Sequence, residues 1–157
     1  MPKHAEKRVL PYAPEQLFDL VAAVECYPEF LPWCLSTRIL KRQDNVFYND
    51  MTIGFRLYRE RFLSKVELDR PRRIDVTFVE GPFRHLVNHW VFTPVGEGAC
   101  EIDFYVDFEF RSRILQKVIG VLFGEAVRHM VRAFEGRAEA LYGSPPPEAL
   151  AEMPKGA

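Results

Sequence analysis

The last long segment of the chain, Ser112 to Tyr142, constrains the fold most, because its pattern predicts one helix of about eight turns. Ser112 is suited to cap the start of this helix and Gly143 to end it, and prolines follow immediately. Apolar residues recur at helical spacing in one stripe: Leu115, Ile119, Leu122, Ala126, Met130 and Ala133. A stripe of this length must be buried against other elements, and most of the preceding chain has the pattern of strands.

Apolar and polar residues alternate with a period of two from Leu35 to Phe110, which is typical of half-buried β-strands. One such series, predicted to face inward, is Phe47, Met51, Ile53, Phe55 and Leu57. A first strand and two short helical segments precede this region, so the order of elements is β-α-α-β-β-β-β-β-β-α. With no crossover helices between the later strands, the chain is predicted to be an α+β protein. A curved seven-stranded antiparallel sheet would wrap around the long C-terminal helix.

The chain of 157 residues is predicted to form one domain over residues 1–143, followed by a disordered, proline-rich tail over residues 144–157. The net charge of −1 provides no global field for nucleic acid. Three cysteines without zinc-ligand spacing suggest reduced, cytoplasmic thiols. The N-terminus has no signal-peptide pattern, and no apolar run is long enough to cross a bilayer. We therefore expect a cytoplasmic protein that at most makes peripheral contact with the inner membrane.

Few residues form a pattern that indicates catalysis. His85 and His89 are four residues apart, which on a strand separates the rings by about 13 Å and disfavours a shared metal. Cys34 has no histidine near it in sequence to act as a base, so a buried structural thiol is favoured. The chain also lacks a glycine-rich phosphate loop and a nucleophile elbow. Binding without catalysis, and without a metal or a catalytic cofactor, is the better hypothesis.

Two polar residues interrupt the inward faces of the predicted strands. Glu60 is in phase with Tyr58 and Phe62, and Asn88 is in phase with the apolar residues around it. A buried polar group without a partner costs about 1–3 kcal/mol, so both need one. An internal hydrogen bond, for instance with Arg137, and a polar anchor in a ligand cavity both remain open. The small Ala126 in the helix stripe favours a cavity above the sheet.

Three segments resemble a known family. Tyr27–Cys34 is similar to a signature of the coenzyme Q-binding proteins, and Gly81–Leu86 followed by Trp90–Pro94 is similar to further parts of the same pattern. This family, which includes bacterial proteins named as ribosome-association toxins, belongs to the START-like, polyketide cyclase/dehydrase superfamily with its helix-grip fold. The resemblance covers Lys3 to about Tyr142.

The resemblance implies a protein that binds ubiquinone without catalysis, as a lipid chaperone supporting respiratory electron transport. An isoprenoid quinone needs a deep apolar cavity with a few polar contacts, and the inward aromatic residues are suited to line one. The Tyr27–Trp33 segment would form the rim. The candidate ligand-binding residues are Phe30, Trp33, Phe55, Glu60, Phe62, Phe78, Asn88, Trp90, Phe104, Phe108, Leu122 and Ala126.

Two other functions compete with this hypothesis. A cyclase or aromatase would need an acid/base-capable cavity, for which Glu60 and Asn88 are the candidates. A ribosome-binding regulator fits poorly, because binding RNA phosphates depends on clustered Lys and Arg in a chain that here is nearly neutral. We also expect contact with anionic membranes through an exposed apolar patch, formed by the start of the C-terminal helix and the Tyr27–Trp33 segment.

Overall fold

The computed structural model describes residues 3–31, 33–55 and 57–143, and the predicted tail and the side chain of Phe55 lie outside that description. The chain begins with strand β1 (Lys3–Leu10), helix α1 (Pro14–Ala22) and a short 3₁₀ helix (Val24–Glu29). The elements that follow are β2 (Cys34–Gln43), β3 (Val46–Phe55), β4 (Tyr58–Asp69), β5 (Arg73–Glu80), β6 (Phe83–Pro94), β7 (Cys100–Phe110) and helix α2 (Arg113–Tyr142).

The seven strands form one sheet in the order β1-β7-β6-β5-β4-β3-β2, and every neighbouring pair is antiparallel. Strands β2 to β7 follow one another as a meander, which needs only short turns. Strand β1 completes the sheet beside β7. The predicted fold class, an α+β protein in which a seven-stranded antiparallel sheet accompanies a long C-terminal helix, is confirmed.

The ends of α2 are formed by the residues that the sequence indicates. The Oγ atom of Ser112 accepts a hydrogen bond from the backbone N of Leu115 at 3.2 Å. At the other end Gly143 adopts φ 78°, a left-handed value that costs glycine little, and its N–H donates to the carbonyl of Glu139 at 2.8 Å. The helix therefore begins and ends where its sequence provides partners for the terminal backbone groups.

Helix α1 and the 3₁₀ helix close one end of the sheet. Phe18, 2% exposed, packs edge-to-face on Phe92 of β6 with ring centroids 5.7 Å apart. In the next segment Tyr27 is 8% exposed and Leu31 is 1% exposed. The expectation that Tyr27–Trp33 forms an exposed patch is therefore wrong, because these apolar side chains are mostly part of the core.

The inward and outward faces of the strands follow the predicted alternation, with one clear exception. Leu57, assigned by its spacing to the inward face of β3, is 98% exposed. It lies just before β4, after the strand has ended at Phe55. The period of two therefore predicts the direction of a side chain only while the residue belongs to the strand.

Candidate functional site

A cavity of about 500 Å³ lies between the sheet and α2. Strands β3 to β7 contribute most of its wall, and α1 and the 3₁₀ helix contribute Val21, Val24 and Tyr27. Helix α2 contributes a further set of mainly apolar side chains, namely Ile119, Phe123, Ala126, Val127, His129, Met130 and Phe134. The wall is therefore largely hydrocarbon and aromatic, as a site for an apolar ligand requires.

The face that α2 turns toward the cavity differs from the predicted stripe at three of its six positions, because Leu115, Leu122 and Ala133 do not line the cavity. Leu122 is half-buried and does not line the cavity, whereas its neighbour Phe123 does. Adjacent helical residues point about 100° apart, so a shift of one residue moves a side chain out of the site. Val127 and Phe134, which do not belong to the predicted stripe, also line the cavity.

Seven of the twelve candidate residues lie in the cavity wall. They come from five separate parts of the chain, and the curvature of the sheet beneath α2 brings them together. They are Trp33, Phe62, Asn88, Trp90, Phe104, Phe108 and Ala126.

The other described candidates lie outside the cavity wall. Phe30 packs behind it, edge-to-face against Phe134 with centroids 5.3 Å apart, and Phe78 packs in the same way against Phe83 at 5.6 Å. Glu60 is half-buried near the start of β4 and is not among the lining residues. Together with Leu122, these three placements are corrections, because an inward phase on a strand or helix does not guarantee access to the cavity.

The polar candidate Asn88 has its partners within the sheet. Its Nδ2 donates to the carbonyl of Tyr105 at 2.8 Å, and its Oδ1 accepts from Nε1 of Trp90 at 3.1 Å. The suggested partner Arg137 instead lies 3.4 Å from Oε1 of Glu29. Of the two interpretations that the sequence left open for Asn88, the internal hydrogen bond is therefore present, although the residue also lines the cavity.

Sequence reasoning missed two polar residues in the wall. Asn49 on β3 is 3% exposed, and Ser64 on β4 is 1% exposed. They are direct partners in the β3–β4 register, and both line the cavity. The Oδ1 atom of Asn49 is buried and has no hydrogen-bond partner among the described residues. Their inward phase in the alternation was the signal that could have found them.

Tyr27, which lines the cavity, and Cys34, which is buried in the same hydrophobic cluster but is not a lining residue, remain protonated near neutral pH. The Tyr27 hydroxyl donates to the carbonyl of Val21, and burial raises the pKa of Tyr27 well above its ordinary range. Burial also raises the pKa of the Cys34 thiol to about 11, so this cysteine is a poor nucleophile. Neither group is suited to proton transfer at pH 7.

Several of the lining residues are partly or largely exposed. They include Trp33, Gly54 and Phe62 from the first half of the chain and Phe123 and His129 from α2, and we call these five residues the rim. The His129 side chain, 56% exposed, lies 3.8 Å from Glu125 as the solvated pair that their spacing indicates.

Exposed apolar residues lie at the same end of the sheet as the β3–β4 turn and the start of α2. Leu57 is 98% exposed, Ile114 is 67% exposed and Val121 is 84% exposed. Arg113, also exposed, precedes Ile114 on α2, and the exposed Lys117 lies between Ile114 and Val121. Within the described residues, no helix combines the length and the apolar character that crossing a membrane requires.

The two histidines on β6 face away from the cavity and have separate neighbours. Nε2 of His85 lies 3.1 Å from Oδ1 of Asp107, and His89 stacks on Tyr105 with ring centroids 5.1 Å apart. Across residues 3–31, 33–55 and 57–143, no three His, Cys, Asp or Glu side chains are grouped as they would be to hold a metal ion.

Comparison with known proteins finds a family and several relatives. Residues 10–135 match the family described as polyketide cyclase/dehydrase and lipid transport. The chain is 33% identical over 144 residues to the ribosome association toxin RatA of Escherichia coli strain K12, covering 92% of this chain and 91% of RatA. It is 34% identical over 145 residues to the mitochondrial coenzyme Q-binding protein COQ10 homolog B of Xenopus laevis, covering 90% of this chain and 59% of that protein.

Solved structures have the same fold. The 18 kDa protein CC1736 of Caulobacter crescentus superposes with a TM-score of 0.75 at 35% identity, covering 92% of this chain and 100% of that one. A START superfamily protein of Mycobacterium smegmatis also gives a TM-score of 0.75, at 19% identity, covering 88% of this chain and 98% of that one. At 19% identity the second comparison concerns the fold alone.

Proposed function

We propose that this chain, which belongs to the polyketide cyclase/dehydrase and lipid transport family, binds ubiquinone in its cavity and carries it without catalysing a reaction. Family membership confirms the resemblance predicted from the sequence motifs. The observation that carries the proposal is the apolar cavity of about 500 Å³ beneath α2. Its size is within the range of roughly 300–1,000 Å³ for small-molecule sites.

The chemistry of the cavity wall supports binding over catalysis. The polar groups that its inner wall contributes are two amides, Asn49 and Asn88, and the hydroxyls of Ser64 and Tyr27, whereas the lining histidine, His129, has a side chain that is 56% exposed and lies beside Glu125. A cyclase or aromatase would need a general acid or base with a pKa near the working pH. Glu60, the carboxylate that such a mechanism would use, is not in the wall. The apolar surface, by contrast, is what a quinone ring and an isoprenoid tail require.

The exterior of the protein near the rim supports delivery of the ligand from a membrane surface. The exposed Ile114 and Val121 on α2 form an apolar surface beside cationic Arg113 and Lys117. Such a combination attracts a membrane with anionic lipids, at about 1 kcal/mol per basic residue near the surface. A quinone would then enter the cavity without crossing water. Such a carrier would supply quinone to respiratory electron transport.

Ligand binding is tested by tryptophan fluorescence, because both tryptophans of the chain line the cavity. Titration with short-chain ubiquinone should quench their emission in a saturable manner. Substituting Ala126→Phe fills the site and should abolish saturation, whereas Ala140→Phe, at an exposed position on the same helix, should leave the titration unchanged. Unsaturable quenching, or equal behaviour of wild type and Ala126→Phe, would contradict the proposal.

Membrane contact is tested by co-sedimentation with vesicles of phosphatidylcholine and phosphatidylglycerol. We expect binding at low salt, weaker binding at high salt, and loss of binding for the double variant Ile114→Ser with Val121→Ser. Leu141→Ser, at an exposed apolar position on the opposite end of α2, provides the matched control. If the double variant binds as well as the Leu141→Ser control, contact does not occur through this surface.

A second candidate function is association with the ribosome, because the chain is 33% identical to a protein named for it over 92% of its own length. The net charge of −1 gives this candidate little support, since binding to RNA phosphates relies on clustered positive charge. Co-sedimentation with purified ribosomes at physiological salt decides between ubiquinone binding and association with the ribosome. Stoichiometric sedimentation by both wild type and Ala126→Phe would favour the ribosome and would make the cavity dispensable for that function.

A further inference from the structure

Two polar side chains on neighbouring strands line the cavity without using their hydrogen-bond donors. Asn49 on β3 is 3% exposed and Ser64 on β4 is 1% exposed. The Oδ1 atom of Asn49 is shielded even from the cavity, so the atom that this amide presents to the cavity is Nδ2. Among the described residues, neither Nδ2 of Asn49 nor Oγ of Ser64 has a hydrogen-bond partner, and neither atom is sealed off as Oδ1 is. We call these two groups the donor pair.

The other polar groups of the inner wall are already paired. Both ends of the Asn88 amide are bonded, to the carbonyl of Tyr105 and to Nε1 of Trp90. The Tyr27 hydroxyl donates to the carbonyl of Val21. Because buried donors in folded proteins are almost always hydrogen-bonded, two adjacent unused donors in an apolar wall indicate that an acceptor completes the site.

The register of the two strands allows one oxygen atom to accept from both members of the donor pair. Asn49 and Ser64 are direct partners in β3 and β4, and side chains opposite one another on the same face have Cβ atoms about 4.5–5.5 Å apart. A carbonyl oxygen has two lone pairs and accepts hydrogen bonds over donor–acceptor distances of about 2.5–3.2 Å. An oxygen placed over the midpoint of the two side chains can therefore accept from both.

The chemistry of the surrounding wall restricts the acceptor to a neutral group. Among the described residues, those that line the cavity include no lysine, arginine, aspartate or glutamate, and their histidine, His129, belongs to the rim with a side chain that is 56% exposed. An ionised carboxylate beside Asn49 would have no cation in the inner wall, and burying an unpaired charge costs far more than burying a neutral carbonyl. The site therefore suits a ketone or a quinone better than a fatty acid.

The place of the donor pair along the strands gives the ligand a direction. Met51 and Phe62 form the next inward pair, about 7 Å nearer to the β3–β4 turn, and Phe62 belongs to the rim. In the opposite direction the next pair is Phe47 and Val66, which are 1% and 2% exposed. A ligand whose carbonyl oxygen reaches the donor pair therefore extends its apolar tail along Met51 and Phe62 toward the rim.

We propose that Nδ2 of Asn49 and the hydroxyl of Ser64 bind the carbonyl oxygen of the ligand head group, so that the cavity selects neutral isoprenoid ketones and quinones over hydrocarbons and carboxylates of the same shape. This inference rests on the proposed function, because it names the atoms that recognise the ligand in the same cavity. A hydrocarbon in the same place would leave both donors without a partner, which is the physical basis of the selection.

The inference is tested with three ligands that share one isoprenoid tail: geranylacetone, the hydrocarbon in which a methylene group replaces its carbonyl oxygen, and geranylacetic acid at neutral pH. Calorimetric titration should give about tenfold tighter binding of the ketone than of either other ligand, as two neutral hydrogen bonds can supply. Asn49→Leu and Ser64→Ala should each lower the ratio of ketone to hydrocarbon affinity about threefold, and the double variant should reduce it to about one. Ser36→Ala, the same chemical change at an exposed position on β2, should keep the tenfold ratio.

The vibrational spectrum of the bound ketone reports the hydrogen bonds directly. Donation to a carbonyl oxygen weakens the C=O bond, so isotope-edited infrared spectra should place the C=O stretch of geranylacetone in wild type at a lower wavenumber than in hexane. Asn49→Leu should return the stretch toward its value in hexane, a change that a merely structural role of Asn49 would not produce. A stretch in wild type at the hexane value would overturn the inference. A lowered stretch that Asn49→Leu leaves unchanged would assign the bond to water or another group and would overturn it as well.

The same titrations separate failure of this inference from failure of the proposed function. Equal binding of the ketone and the hydrocarbon, together with saturable binding of short-chain ubiquinone, would refute the role of the donor pair and leave ubiquinone binding standing. A tenfold preference for the ketone in a protein that does not bind ubiquinone would support the donor pair and show that ubiquinone is the wrong ligand. If Asn49→Leu does not fold, Ser64→Ala decides, and an unchanged ratio in that variant overturns the inference.

Discussion

The two halves of α2 differ in how firmly the rest of the protein holds them. In the C-terminal half, the hydroxyl of Tyr142 donates to the carbonyl of Gln16 at 2.8 Å, and Glu135 pairs with Arg8 of β1. Ala138 is completely buried. In the N-terminal half, Leu115 is the one buried residue among positions 113–126, all of which the structure describes.

The opposite faces of the N-terminal half have different neighbours. One face lines the cavity through Ile119 and Phe123, and the other face exposes Ile114 and Val121 to solvent. A Cβ atom added at Gly120 would meet nothing within 4 Å. The comparison shows how one helix provides both stability and a site: contacts at one end fix the helix, and space remains beneath the other.

The largest expected effect comes from placing the same large side chain in each half. Ala138→Phe overpacks a fully buried site and should lower the free energy of unfolding by about 1–3 kcal/mol. Ala126→Phe projects into the cavity and should change the unfolding free energy by less than about 0.5 kcal/mol, while ligand affinity falls at least tenfold. Denaturant unfolding and fluorescence titration measure the two quantities. Equal destabilisation by both variants would mean that the space beside Ala126 is packed core.

A smaller effect is expected from loosening the C-terminal half at a single hydrogen bond. Tyr142→Phe removes the donor to the carbonyl of Gln16 and should lower the free energy of unfolding by about 0.5–1.5 kcal/mol. Tyr48→Phe on β3 is a control for loss of a phenol hydroxyl elsewhere. If Tyr142→Phe unfolds at the same denaturant concentration as wild type, this contact does not help to hold the helix.

Glycine substitutions compare the two halves through local stability. Gly120→Ala and Gly136→Ala both replace exposed helical glycines with open space for the new methyl group, so each should stabilise its segment by about 0.5–1 kcal/mol. We expect Gly120→Ala to slow amide hydrogen exchange around residues 116–124 about 2–5-fold, because a weakly held segment opens locally. Gly136→Ala should not slow exchange there. The same slowing by both variants would show that α2 opens as one unit.

The effect that is smallest near neutral pH, where it vanishes, is a pH dependence of the free energy of unfolding that arises from two buried thiols. Burial raises the pKa of Cys34 to about 11 and that of Cys100 to about 12, above an ordinary value of 9.0. The unfolded thiols lose their protons first, so the free energy of unfolding should be unaffected below pH 9 and should fall between about pH 9 and 12. Replacing both thiols by alanine should flatten this slope. An unchanged slope would assign the alkaline loss of stability to other groups.

Much of the fold could be predicted from the sequence because local patterns determine it. The alternation along Cys100–Phe110 specifies a strand with one buried face, and Ser112 and Gly143 specify the ends of the last helix. The candidate site was harder to predict, because the period-two phase of a strand does not show which inward side chains line the cavity. Phe78 is inward yet packs behind the wall against Phe83.

The polar residues of the site show the same limit of prediction from sequence, because one predicted residue is absent from the wall and two residues in the wall were missed. Glu60 attracted attention because a charge in an inward phase is conspicuous, yet it does not line the cavity. Asn49 and Ser64 share the inward phase of their strands, and only the register of β3 against β4 shows that they are neighbours. Pairing between strands is a tertiary property, which the period of a single strand does not contain.

The central claim is that the space beneath α2 holds an isoprenoid quinone. The most direct measurement is mass spectrometry of lipid extracted from the purified protein, compared with the Ala126→Phe variant prepared in the same way. The account predicts quinone in wild type, approaching one molecule per chain, and at least tenfold less in Ala126→Phe. Equal amounts in the two preparations, or no quinone in wild type from cells that make it, would contradict the account.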